Sequence, residues 1–283
     1  MTVVDTLDRL AVLSLRPFGF TGRQVLTAHG PLYAVEARGR GELPTLVLLH
    51  GLGSVAADCA PVLLPLLPAF RRLVALDLPG HGRSPLPSGP RPREAVEEAV
   101  AQALDTLVEG PVILVGNSLG GLFAARLALR RPERVAGLVL LSPAGAPLSA
   151  AQLSTLLSPF RGADPATSRR FLEQAIGGPH PLAGLLHPAF RLRLARPGVR
   201  GFVEAIEAGH LLSAEEVGRL PERTLLLWGG EERVLPADNL DFLRLHLPPG
   251  ARIELPPGWC HAPMLRQPAA VAERLLRFAR EIA

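Results

Sequence analysis

Ser118 sits in the stretch Gly116-Asn117-Ser118-Leu119-Gly120-Gly121, between an apolar run, Pro111 to Val115, and a helix-like run, Leu122 to Arg130. A serine flanked by glycines at a strand-to-helix junction has a specific use. The glycines allow a sharp turn, and the hydroxyl is held out at its apex as a nucleophile. The helix that begins there points its free N–H groups at developing negative charge. A serine hydroxyl is a poor nucleophile at neutral pH, so it needs a base, and the base needs an orienting acid. His261, in Pro257-Gly258-Trp259-Cys260-His261-Ala262-Pro263, follows the last predicted strand and precedes the last predicted helix, where a base belongs. His29 reads as part of a hairpin turn, His246 as helical, and His180, His187 and His210 fall in a helical middle segment. Glu231, Glu232 and Asp238 all follow a predicted strand, and each satisfies the chain order nucleophile, acid, histidine. An oxyanion needs backbone N–H donors. Leu119 is the first expected donor, and Leu52, in His50-Gly51-Leu52-Gly53, is the second.

The elements around these residues alternate. Arg23 to Ala28 and Leu32 to Arg38 predict a hairpin. Short apolar runs at Thr45 to Leu49, Leu73 to Leu76, Val112 to Val115 and Val135 to Leu141 predict buried parallel strands. Pro92 to Val108 has helical spacing. After Ser142 strand signals stop, and short helices are predicted at Ala150 to Leu157, Thr167 to Ile176 and Val199 to Ala208. Strands at Leu225 to Trp228 and Arg252 to Leu255 then alternate with helices at Ala237 to Leu247 and Pro268 to Ile282. This pattern predicts an α/β domain with a mostly parallel sheet and helices on both faces. The helical middle reads as an insertion at one edge of the sheet.

With 283 residues, 48% of them hydrophobic, the chain can form one large core. All 30 basic residues are arginine, which excludes Schiff-base lysine chemistry and P-loop phosphate binding. The arginines are scattered and the net charge is +4, so no nucleic-acid partner is expected. Two cysteines, Cys59 and Cys260, form no disulfide framework and fit a reducing cytoplasm. Metal-ligand spacings are absent, and neither metal nor cofactor is expected. Met1 to Leu15 reads as an amphipathic helix, not a signal peptide; a membrane-surface or dimer contact is its alternative role. No stable membrane insertion is expected.

Together these motifs resemble the α/β-hydrolase superfamily along nearly the whole chain. His50-Gly51-Leu52-Gly53 is similar to its oxyanion motif, and Asp77-Leu78-Pro79-Gly80-His81-Gly82-Arg83-Ser84 to its D-x-P-G-x-G-x-S loop. Ser118 matches the elbow serine and His261 the catalytic histidine. Trp228-Gly229 with Glu232 and Pro236 matches W-G-x-x-D-x-x-x-P, with glutamate where aspartate is usual. The resemblance implies an eight-stranded, mostly parallel sheet flanked by helices, with a core of residues 1–142 and 221–283 and a helical lid of residues 143–220. It implies Glu232 as the acid, with Glu231 the alternative one residue away.

The expected chemistry is hydrolysis of a small to medium, largely apolar carboxylic ester, thioester or lactone through an acyl-enzyme on Ser118. Phe160, Phe171, Leu185, Leu186, Phe190 and Phe202 suggest an apolar pocket in the lid. Arg161, Arg191 and Arg193 are the candidates for a substrate carboxylate. Asn117 before the serine resembles the carbon–carbon bond hydrolases of ring-fission products, but Leu119 and Ala262 depart from that pattern. The same fold also admits acyltransferase or perhydrolase activity, or a non-catalytic ligand-binding role. The expected partner is a small-molecule acyl substrate, with a homodimer possible.

Overall fold

The computed structural model describes residues 2–87, 93–161 and 164–283. Eight strands form one sheet: β1 Thr21–Thr27, β2 Gly30–Arg38, β3 Leu46–Leu49, β4 Arg72–Leu76, β5 Val112–Asn117, β6 Val135–Leu141, β7 Thr224–Leu227 and β8 Arg252–Glu254. Their order is β1-β2-β4-β3-β5-β6-β7-β8. The β1–β2 hairpin and the β2–β4 pair are antiparallel, and every later pair is parallel. Continuous apolar runs make β3, β5 and β7, and every residue of these strands is buried. A strand covered on both faces has no solvent side on which to place polar residues.

Helices α1 Val3–Ser14, α2 Ala60–Leu63, α3 Arg93–Leu107 and α4 Leu119–Arg130 precede β6; α10 Ala237–His246 and α11 Pro268–Ile282 follow β7 and β8. Pro92, the expected start of α3, lies outside the described residues. One buried cluster joins α3 and α4 to one face of the sheet, through Val100, Leu104, Phe123 and Leu127. A second joins α2 and α11 to the other, through Leu63, Leu275 and Phe278.

Between β6 and β7 the chain forms α5 Ala150–Arg161, α6 Pro165–Ala175, α7 Pro181–Leu194, α8 Pro197–Glu204 and α9 Ala214–Gly218. β6 and β7 pair with each other, so the insertion leaves the sheet at its carboxyl-terminal rim and not beside a lateral strand. Two of its helices go beyond those expected from the sequence. α7 escapes the sequence pattern because Gly184 and Pro188 interrupt it. α9 is short, but Ser213 and Glu216 form a capping box that marks its start. α5 also continues through Pro159 to Arg161.

Candidate active site

The parallel strands deliver the expected residues to one rim. β3 leads into His50 and Gly51, β5 into Ser118, β7 into the Glu232 loop and β8 into the His261 loop. Ser118 has φ 52° and ψ −117°, a left-handed conformation that is costly for a residue with a side chain. Its backbone is held there by hydrogen bonds. Ser118 N–H donates to Leu141 O at 3.1 Å, and Ser118 O accepts from Gly121, Leu122 and Ala144 N–H at 2.9, 3.2 and 2.9 Å. The turn closes only because two flanking positions lack a Cβ. One on Gly116 would sit 2.2 Å from Gly120 O, and one on Gly120 would sit 2.2 Å from Leu49 O.

His261 is buried, and its Nδ1 lies 2.8 Å from Glu232 Oε2. The other carboxylate oxygen, Oε1, accepts from Val234 N–H at 2.7 Å and Leu235 N–H at 3.0 Å. Burial alone raises the Glu232 pKa. The charge and hydrogen bond of His261 and the two amides outweigh it, and the carboxyl ends below its ordinary value. Glu231 and Asp238 are exposed, and neither approaches His261 within hydrogen-bond distance. Ser118 and His261 line the same cavity without a direct hydrogen bond between them; such contacts are often loose before a substrate binds. Among the described residues, the N–H groups of Leu52 and Leu119 have no protein acceptor.

The oxyanion-type loop is fixed from beneath. Leu78 N–H donates to His50 Nε2 at 3.1 Å, so the ring proton sits on Nδ1 and donates to Gly51 O at 2.8 Å. Full burial depresses the His50 pKa to about 4. Asp77 accepts from Ala56 N–H at 2.6 Å and Arg83 N–H at 2.8 Å, and burial raises its pKa to about 6. Ser84 Oγ bridges Tyr33 N–H and Asp77 O at 2.8 and 2.7 Å. Asp77, His81 and Ser84 are all buried, and their loop acts as a brace. Cys260 is buried, and burial raises its pKa, which disfavours the reactive thiolate.

The cavity holds about 240 Å³ and is walled by Leu153, Leu157, Phe160, Phe171 and Phe190 from the insertion. Phe202 lines a separate, smaller cavity, and Leu185 is exposed. Arg193 reaches the large cavity, but it is ion-paired with Asp8 and Asp58 and is not free for a carboxylate. Arg161 and Arg191 are exposed and do not line the cavity. Asn117 has a role that its place in the motif does not announce. Its Nδ2 donates to Leu141 O at 3.0 Å and to His261 O at 2.9 Å, tying the serine strand to the histidine loop. A polar residue at the last, buried position of a parallel strand is the available signal.

Among the described residues, no group of three histidine, cysteine, aspartate or glutamate side chains could hold a metal ion, and no helix is long and apolar enough to cross a membrane.

Residues 44–180 match the family model described as "alpha/beta hydrolase fold". A pimeloyl-[acyl-carrier protein] methyl ester esterase from Neisseria meningitidis is 32% identical over 255 residues, covering 83% of this chain and 94% of that protein. A protein of the same name from Aromatoleum aromaticum is 33% identical over 244 residues, covering 80% and 94%. Among solved structures, a bacterial membrane phospholipase A superposes with a TM-score of 0.83 at 26% identity, over 99% of this chain and 92% of that one. The naproxen esterase of Bacillus subtilis superposes with a TM-score of 0.78 at 24% identity, over 98% and 99%; that likeness speaks to the fold.

Proposed function

The chain belongs to the alpha/beta hydrolase fold family and is an ester-bond hydrolase; on that premise we propose that it cleaves a small to medium, largely apolar carboxylic ester through an acyl-enzyme on Ser118. The observation that carries this reading is the His261–Glu232 pair at 2.8 Å, facing the apolar cavity that Ser118 also lines. Glu232 accepts from Nδ1–H of His261, which leaves Nε2 as the acceptor for the serine proton.

In the first step Ser118 Oγ bonds to the ester carbonyl carbon, and its proton passes to His261 Nε2. The carbonyl π pair moves onto oxygen, where the N–H groups of Leu52 and Leu119 receive it. The oxyanion collapses, the carbon–oxygen bond to the alcohol breaks, and His261 gives its proton to the leaving oxygen. Water then repeats the sequence on the acyl-enzyme, with His261 again as base. Residues 143–220 act as the lid, and its leucines and phenylalanines receive the apolar part of the substrate. The methyl-ester substrate in the relatives' name is compatible with such a site, and an ester of that kind is one substrate to try.

Asn117 borders the cavity, but its Nδ2 is committed to two backbone carbonyls, so its place before Ser118 has a structural account and does not by itself favour the carbon–carbon bond reading. The reading is tested with p-nitrophenyl butyrate. Ser118→Ala and His261→Ala should each lower kcat by about 10³-fold or more while the protein stays folded. Undiminished turnover by folded Ser118→Ala would sink it.

A further inference from the structure

We propose that Arg193, on the insertion helix α7, and Asp8, on the N-terminal helix α1, are positioning residues for the oxyanion donor Leu52; the inference rests on the role given to Leu52 above. The loop from Gly51 to Asp58 is gripped by the core at two points. His50 holds Gly51 O, and Asp77 holds Ala56 N–H. The part between them, which includes Leu52, is closed by a turn in which Ser54 N–H donates to Gly51 O at 3.1 Å.

That turn is fixed by Asp58. Asp58 Oδ2 accepts from Ser54 Oγ at 2.7 Å and from Val55 N–H at 3.2 Å. Asp58 in turn is clamped by Arg193, whose Nη1 donates to Oδ2 at 2.7 Å and Nη2 to Oδ1 at 3.2 Å. Such a bidentate fork fixes the orientation of the carboxylate as well as its distance. Asp8 completes the clamp by accepting from Arg193 Nε at 3.1 Å and Nη2 at 2.9 Å. Asp8 also accepts from Arg196 Nη2 at 3.1 Å. The side chains of Asp8 and Arg193 are only 5% and 14% exposed, so solvent screens their attraction weakly. The same helix wedges the turn sterically, because Phe190 and Leu194 pack against Gly53.

Charge shows how the group acts. Arg193 and Arg196 face Asp5, Asp8 and Asp58, two cations against three anions. No spare positive charge remains to attract an oxyanion through space. The contribution is positional: the network sets where the Leu52 N–H points. A donor held in place before the reaction needs no reorganisation during it. Polar residues that would otherwise make α1 an ordinary surface helix are therefore committed to the active-site loop.

The test compares a straight-chain alkyl trifluoromethyl ketone with the secondary alcohol of the same skeleton. On the ketone, Ser118 Oγ bonds to the carbonyl carbon, the π pair moves to oxygen as an oxyanion, and the serine proton passes to His261. The alcohol fills the same cavity without forming an oxyanion. Wild type, Arg193→Met, Arg193→Lys and Asp8→Asn are compared by ketone inhibition, alcohol binding, ester kcat/KM and thermal unfolding. Arg193→Met and Asp8→Asn should weaken ketone inhibition and kcat/KM together by about tenfold or more. For Asp8→Asn, whose side chain lies outside the cavity lining, alcohol binding should change less than about twofold, and for Arg193→Met it should fall less than ketone inhibition does. Arg193→Lys should recover part of the loss. If Arg193→Met does not fold, Asp8→Asn and Arg193→Lys carry the comparison. Equal weakening of ketone and alcohol, or unchanged ketone inhibition in folded variants, overturns the proposal. If Ser118→Ala keeps full ketone affinity, the acyl-enzyme reading fails, and this inference falls with it.

Discussion

Asn117 Nδ2 donates a hydrogen bond to the backbone carbonyl of His261 at 2.9 Å, across 144 residues of sequence. The residue before the proposed nucleophile therefore holds the loop of the proposed base. Asn117→Ala leaves two buried carbonyls without this donor, which should cost about 1–3 kcal/mol of stability. Its effect on turnover should appear in kcat more than in KM, because the change frees the loop of the proposed base while the apolar walls supplied by the insertion stay in place. Asn117→Asp should be worse than alanine, since a carboxylate presents lone pairs to both carbonyls. Urea unfolding and ester kinetics check this; an aspartate variant as active and as stable as wild type contradicts it.

Glu232 makes its two oxygens do different work, and that decides what a substitution does. Val234 and Leu235 N–H both require an acceptor at Oε1. A glutamine must keep its oxygen there, so its NH₂ faces His261 Nδ1. Nδ1 then becomes the acceptor, and the ring proton moves to Nε2, the tautomer that cannot take the serine proton. Glu232→Gln should lower kcat by about 10³–10⁴-fold, whereas Glu231→Gln, at an exposed position, should have little effect. Glu232→Asp should also lose activity, although aspartate is the family's usual acid, because the amides hold the carboxylate back by one methylene. The equilibrium sign follows from the lowered pKa. The ionised carboxylate contributes stability above its ordinary value of 4.5, and that contribution is lost as pH falls further, through the depressed value. Glu232→Gln should flatten the acid side of the stability curve; an unchanged acid slope counts against the pairing.

The placement of Ser118 and His261 on one cavity is legible because local patterns fix it: glycines for a tight turn, and a loop between the last strand and helix. The parallel strands are legible because buried parallel strands are continuous apolar runs, as in Leu46–Leu49 and Thr224–Leu227. Glu232 can be narrowed to a short segment only, since its side-chain direction depends on the turn that Gly229 and the Trp259 loop close. The Asp8–Arg193–Asp58 network is not legible. Its members are 50, 135 and 185 residues apart, and arginine is too common here to single one out. α7 is hidden for a local reason, as Gly184 and Pro188 weaken helix propensity that tertiary packing of Phe190 and Leu194 restores.

His50 ties the proposed oxyanion loop to acid stability. Its folded pKa of about 4 lies below the ordinary 6.5, because burial disfavours the charged ring. Between those values the unfolded chain binds the proton and the folded protein does not. Stability is therefore lost as pH falls from about 6.5 towards 4, by up to ~3 kcal/mol from this group. Asp77, raised to about 6, has the opposite sign, since the folded state holds its proton longer. The difference between wild type and His50→Gln removes the Asp77 contribution. The wild type should show the steeper loss over this range in denaturant titrations at several pH values; parallel curves would refute the assignment.

A second cavity of about 80 Å³ lies behind the first, and both are bounded by Leu119, Leu122, Ile206 and Leu211. These residues form the wall between the two spaces. The wall is anchored, because Arg126 Nη2 donates to His210 O at 3.3 Å and to Leu211 O at 3.1 Å. The charged residues of the second cavity, Arg126 and Glu97, pair with each other at 3.6 Å, so the space suits an aliphatic end better than a carboxylate. Ile206→Ala should join the cavities and let a longer acyl chain pass. Each methylene newly buried strengthens binding about fourfold, so two extra carbons raise the preference for a dodecanoyl over a butanoyl p-nitrophenyl ester by about tenfold or more. Ala205 borders only the second cavity and is exposed, so Ala205→Trp can be added without crowding the core. In the Ile206→Ala background it should refill the new space and restore the original ratio. A chain-length ratio that ignores Ile206→Ala, or one that Ala205→Trp fails to restore, means that the wall does not limit the substrate.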